Sequence, residues 1–315
     1  MKSLECNEPN IDFTNAINRA KECDQQLKQF LGIDGKGRLD NNKLQSIVKG
    51  LDQEKQKELE GLLHSQTEAL ADKHLAIPKA YKKFIHDLHL LAWPNFKSDP
   101  VTLELWPKIQ AAKDIAPNER IALMNAASSA MHRAWKDCLE IQDFKPPLRF
   151  KRLGLSEEDK HAGVQQSQTG ESFFNIDDEL IKSDLQLLIH IGFHEPEHDI
   201  QARIRSMVDK DTAPPKYRDL FLTMRELFGV GGVCSPDVFS GRNLKLETSG
   251  YAAYHSTPRE ITAFQQGSLA ELSFSEDLGI PVAPKTRSIC SAFFEHIGTE
   301  SKSCTKLQSY AGPKN

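Results

Sequence analysis

Apolar residues recur at intervals of three and four along most of the first 140 residues, with charged residues between them. Four segments show this pattern, namely residues 15–31, 42–75, 80–93 and 118–141. Such spacing lines up one apolar face of a helix, and these segments contain few β-branched residues. The pattern therefore predicts a helical region in the N-terminal half of the chain.

The periodicity fades after residue 142. Pro146 and Pro147 disfavour a helix, the run LRFKRL at 148–153 alternates as a strand does, and the Gln-, Ser- and Gly-rich residues up to 172 are typical of an exposed loop. We place a domain boundary near residue 145, which gives domains 1–145 and 146–315. A chain of 315 residues is long enough for two domains of ordinary size.

Helical patterns return in the second half. Residues 173–208 predict a long helix with Asn175 as its N-cap, and residues 217–228 predict another after a pair of prolines. A third helix is expected from Pro258, with Ser256 or Thr257 as its cap. The residues after Pro284 are less regular. The fold class expected from the whole pattern is mainly α.

Composition narrows the functional classes. A formal net charge of −4, from 40 basic and 44 acidic residues, argues against a nucleic-acid-binding protein. No apolar run approaches the roughly 18–20 residues of a membrane span. The N-terminal residues lack the apolar stretch of a secretory signal, and the six cysteines form no CxxC pair, which is typical of free thiols. We expect a cytoplasmic protein, or one delivered to a host cell without a Sec signal as an effector or toxin.

The chemistry that the sequence offers is concentrated at HEPEH, residues 194–198. His194 and His198 are four residues apart, so on a helix both imidazoles lie on one face and could bind a single metal ion. Glu195 follows the first histidine directly, where a carboxylate can accept a proton from a water molecule that the metal acidifies. This spacing predicts a hydrolytic zinc site.

HEPEHDIQ, followed later by the helical segment PREITAF, resembles the zincin metallopeptidases of the gluzincin type. The resemblance implies an α+β C-terminal domain with a small sheet packed on the metal helix. It also implies zinc bound by His194, His198 and Glu260, with Glu195 as general base and a protein or peptide as substrate. Tyr254, or Tyr251 beside it, would supply a phenol that steadies the oxyanion. Asp178 and Asp199 are possible partners for the metal ligands.

Two features leave the site open to other interpretations. His190 and His194 are also four residues apart, and in that frame Ile191 stands where the catalytic glutamate would be. The alternative to a peptidase is therefore an inactive zincin-like binding or scaffold protein, with a His190/His194 metal pair or no metal. Pro196 lies inside the motif, and a proline within a helix removes one backbone hydrogen bond, which predicts a kink there.

Overall fold

The computed structural model describes residues 11–33, 41–69, 77–141, 146–152, 164–166, 172–230, 239 and 244–297. Contacts group the chain into two units, each built from two segments. Unit 1 comprises residues 1–81 and 215–261, and unit 2 comprises residues 82–214 and 262–315. This grouping does not test whether 1–145 and 146–315 fold as separate domains, so that division stays a prediction.

Helices dominate the described residues. They are α1 (Ile11–Phe30), α2 (Asn41–Lys49), α3 (Gln53–Ala69), α4 (Lys79–Lys97), α5 (Pro100–Gln110), α6 (Pro117–Leu139), α7 (Asp178–Ile181), α8 (Leu185–Asp209), α9 (Arg218–Leu227), α10 (Leu244–His255), α11 (Pro258–Leu278) and α12 (Pro284–Ile297). The strands are β1 (Arg149–Arg152), β2 (Val164–Gln166) and β3 (Ser172–Ile176).

Unit 1 has an apolar core of side chains on α1, α2, α3 and α10, together with Phe239. Its buried members are Leu27, Leu31, Leu44, Val48, Leu59, Leu63, Phe239, Leu246 and Ala253. Helix α3 packs against both α1 and α10. Because the apolar positions of these helices follow the helical period, each helix buries one face and exposes the other.

The sheet belongs to unit 2 and has the strand order β1-β3-β2. Strand β1 runs parallel to β3, with Arg149 opposite Phe173, and β2 runs antiparallel to β3. The amide of Asn125 on α6 fastens β1 to the helices: its nitrogen donates to the Phe150 carbonyl at 3.1 Å, and its oxygen accepts from the Phe150 N–H at 2.9 Å. The sheet therefore packs on α6, which also contacts α8.

Helix α8 is held at both its start and its middle. The Asp184 side chain caps it by accepting from the Gln186 N–H at 2.7 Å. Farther along, Gly192 faces α6 so closely that a Cβ there would lie 3.2 Å from the Ala127 Cβ. The helix stays continuous on both sides of Pro196 and ends at Asp209.

The mainly α fold with a small sheet is confirmed, as are the strand after Pro147 and the helix starting at Pro258. Three expectations were wrong. Residues 173–176 form β3 rather than the start of a helix capped by Asn175, the segment 42–75 is divided into α2 and α3, and residues after Pro284 form α12. Within the described ranges, no helix has both the length and the apolar composition needed to cross a membrane.

Candidate metal centre

Three side chains that could bind a metal ion meet in the middle of α8. One ligand atom from each of His194, Glu195 and His198 lies within 4.8 Å of the other two. Both histidines are buried, with 7% and 6% of their surfaces exposed, and Glu195 is half-buried. Imidazole and carboxylate ligands suit zinc and other divalent transition metals, so the donor set fits the metal that the motif predicted.

An apolar wall backs the site on one side of α8. Phe193 is fully buried against α4, with its ring centroid 5.9 Å from that of Trp93 and 5.7 Å from that of Phe96. His89 lies in the same layer, where burial lowers the pKa of its imidazole to about 3 and keeps it neutral. A well-packed layer of this kind fixes the orientation of the helix that carries the candidate ligands.

Helix α11 covers the other side of the histidine face. The Phe264 ring centroid lies 4.8 Å from that of His194, in an edge-to-face arrangement. The two helices lie close together at Gly267, where an added Cβ would lie 2.8 Å from both Nε2 and the carbonyl oxygen of His190. Glycine is needed at this position because no side chain fits between the helices.

Both ring nitrogens of His190 face residues of α11. Its Nδ1 lies 3.3 Å from Oε2 of Glu271, a carboxylate that also accepts from the Thr286 hydroxyl at 2.7 Å. Its Nε2 edge lies against the backbone of Gly267. The ring also stacks on His194 with a centroid separation of 5.8 Å. His190 thus ties α8 to α11 and α12.

His198 has a hydrogen-bond partner one helical turn away on α8. Its Nδ1 lies 3.1 Å from Oε1 of Gln201, and Nε2 of Gln201 donates to the Thr262 hydroxyl at 2.8 Å. Gln201 and Thr262 are buried, with 3% and 0% exposure. Neither residue was predicted from the sequence to support the site, although the spacing of Gln201 three residues after His198 places the two on one helix face.

The two aspartates considered as partners for the metal ligands serve other groups. Asp199 accepts from Arg203 at 2.8 Å and from Ser172 of β3 at 3.1 Å, so it fastens α8 to the sheet. Asp178 makes a bidentate ion pair with Arg152 at 2.6 Å, and that pair lowers the pKa of its carboxyl group. Both carboxylates have structural roles that the sequence did not indicate.

Glu260 and Tyr254 both lie in unit 1, whereas the His194–His198 group lies in unit 2. Glu260 is buried in the first turn of α11, and its N–H donates to the Thr257 hydroxyl at 3.4 Å. The Tyr254 ring packs against the core of unit 1 and contacts His255. Their roles as third ligand and oxyanion donor stay predictions.

Cys23, Cys138 and Cys290 are free thiols, and Cys6, Cys234 and Cys304 lie outside the described residues. Burial and the nearby carboxylate of Glu271 raise the pKa of the Cys290 thiol, which makes it unreactive.

Comparison with known proteins returned no matching family model, no matching characterised protein and no matching solved structure. The similarity to zincins therefore depends on the HEPEH motif and on the geometry of the side chains around it.

Proposed function

We propose that this protein is a zinc-dependent metallopeptidase that hydrolyses a peptide bond in a protein substrate. His194, His198 and Glu260 would hold the zinc ion, and Glu195 would act as the general base. The observation that carries the proposal is the His194–Glu195–His198 group, in which both histidines are buried and the ligand atoms lie within 4.8 Å of one another on one helix.

The surroundings of His190 favour the 194/198 frame over the 190/194 frame. A metal ligand needs one ring nitrogen that is accessible to the ion. In His190, Nδ1 faces Glu271 and Nε2 packs against Gly267. His198, in contrast, directs Nδ1 at Gln201, so its Nε2 would be the ligand atom. The 194/198 frame also retains Glu195, which the peptidase reaction requires.

The position of Glu260 on α11 supports its choice as third ligand. It lies two residues before Thr262, the partner of Gln201, and four residues before Phe264, which packs on His194. Residues four apart on a helix lie on the same face. Glu260 therefore lies on the same face of α11 as Phe264.

The protein's own residues would divide the reaction between them. A bound zinc ion supplies Lewis acidity, which polarises the scissile carbonyl and acidifies water. Glu195 would act first as a general base, accepting a proton from the attacking water, and then as a general acid, donating that proton to the leaving amine. Tyr254 would donate a hydrogen bond to the oxyanion. The proposed setting is the cytoplasm, or a host cell into which the protein is delivered.

Hydrolysis by the zinc-loaded protein tests this proposal, with Glu195→Gln as the decisive variant. The substitution removes the base but keeps the size of the side chain, so we expect zinc to be retained and peptide cleavage to fall by at least about 100-fold. Glu179→Gln makes the same chemical change at an exposed position of α7 and should leave cleavage unchanged.

Two outcomes would contradict the proposal. Equal cleavage by the wild type and Glu195→Gln would remove Glu195 from the reaction. Zinc binding without cleavage of any member of a peptide library by the wild type would instead favour the inactive zincin-like binding protein.

A further inference from the structure

We propose that Gln201 is a positioning residue, which fixes the ring of His198 in the tautomer that can bind a metal ion. The proposal deepens the proposed function and rests on it, because it assigns a role to a residue beside the ligands. It starts from a chain of two hydrogen bonds that runs from His198 through Gln201 to Thr262.

The geometry gives each end of the Gln201 amide a different partner. The amide nitrogen donates to the Thr262 hydroxyl at 2.8 Å, and the amide oxygen lies 3.1 Å from Nδ1 of His198. An amide oxygen can only accept a hydrogen bond. Nδ1 of His198 must therefore carry the proton, and the lone pair of the neutral ring is on Nε2.

This tautomer decides whether the ring can be a ligand. A neutral imidazole binds a metal through its unprotonated nitrogen, and the hydrogen bond made by the other nitrogen sets which one that is. If the Gln201 amide were rotated by half a turn, its nitrogen would face Nδ1 of His198. The ring proton would then move to Nε2, and that nitrogen could not bind the ion.

Burial makes the amide orientation specific. His198, Gln201 and Thr262 are each at least 94% buried, so water does not compete strongly for these groups. Thr262 lies on α11, so the chain of bonds also connects the metal-ligand helix to the helix that carries Glu260. Gln201 thus links the choice of tautomer to the packing of α11.

The tautomer can be read directly in the metal-free protein. Two-bond proton–nitrogen NMR spectra of the histidine rings, recorded near pH 8 where an ordinary histidine is neutral, distinguish the two forms. We expect His198 in the wild type to be protonated at Nδ1. Finding it protonated at Nε2 would overturn the proposal without any variant being made.

Variants of Gln201 add a readout that structural damage alone would not give. Gln201→Leu removes the acceptor, so we expect a mixed His198 tautomer and a 10–100-fold loss of zinc affinity. In Gln201→Glu, one carboxylate oxygen can accept from the Thr262 hydroxyl while the other accepts from Nδ1 of His198. We therefore expect this variant to retain the Nδ1-protonated ring. Thr262→Val should act in the same direction as Gln201→Leu, since it removes the group that orients the amide.

Gln186→Leu is the matched control. Gln186 is also on α8 and loses two hydrogen bonds, to Ser275 and to the Pro281 carbonyl, both at 2.9 Å. We expect its zinc affinity to stay within about twofold of the wild type, well below the effect of a lost ligand partner. Equal losses in Gln186→Leu and Gln201→Leu would show that Gln201 acts only through stability. If the wild type bound no zinc, the proposed function would fail, while the His198 tautomer would still decide the role of Gln201.

Discussion

Replacing Gly267 by alanine should force α8 and α11 apart at the point where His190 packs. The new Cβ would lie 2.8 Å from Cδ2, Nε2 and the carbonyl oxygen of His190, whereas ordinary contacts of a Cβ are 3.4 Å or longer. The carbonyl belongs to the backbone of α8 and cannot turn aside as a side chain can. Overpacking of this kind costs about 1–3 kcal/mol.

This overpacking cost is partly offset, because the helix propensity of alanine is higher than that of glycine by about 1 kcal/mol. Gly61→Ala serves as the matched control, since Gly61 also lies inside a helix and a Cβ there meets nothing within 4 Å. We therefore expect Gly61→Ala to stabilise its unit by up to about 1 kcal/mol and Gly267→Ala to be less favourable by about 1–3 kcal/mol.

Denaturant unfolding followed by circular dichroism measures both changes, as shifts in the transition midpoint. Zinc affinity should also fall in Gly267→Ala, because the displaced helix carries Thr262 and Phe264. His190→Ala in the same chain removes two of the three close contacts and should recover part of the loss. If Gly267→Ala stabilised the protein as much as Gly61→Ala does, that result would refute the close packing of α8 on α11.

Two further predictions concern stability. His89 is buried with its pKa lowered from 6.5 to about 3, so the folded state excludes a proton that the unfolded state binds. The neutral His89 side chain makes its full contribution to the free energy of unfolding above pH 6.5, and that contribution is lost as the pH falls toward 3. Between pH 6 and 4 the unfolding free energy of the wild type should therefore fall about 1.4 kcal/mol per pH unit faster than that of His89→Gln, as measured in urea titrations. Asp184→Ala removes the cap of α8 and should cost about 1 kcal/mol in the same assay, whereas an unchanged midpoint would exclude this capping role.

The helices were predictable from sequence where one apolar face follows the helical period. Helix α6 and the start of α11 are examples. The beginnings of these helices are also marked by Pro117 and Pro258, which stand in their first turns. The segment 172–176 was not predictable in this way. Its residues form β3 because they pair with β1 and β2, and pairing between separate segments leaves no local periodic signal.

The candidate metal centre was predictable from the sequence only where its residues are close together along the chain. The spacing of His194 and His198 on one helix follows from chain geometry alone, and the structure brings both beside Glu195. Gln201, Phe264 and Gly267 acquire their roles from the packing of α11 on α8, which involves residues 60 or more positions apart. The contact of Asp199 with Ser172 of β3 is also tertiary and left no signal in the sequence, although its other partner, Arg203, lies on the same helix.

The number of zinc ions bound per chain tests the central claim most directly. Protein purified without chelator and analysed by mass spectrometry of its metals should hold about one zinc ion per chain. His194→Ala and His198→Ala should each lose that zinc, whereas His190→Ala should retain it, because His190 contacts Glu271 and Gly267. A wild type without zinc, or zinc that depends on His190 but not on His198, would contradict the account.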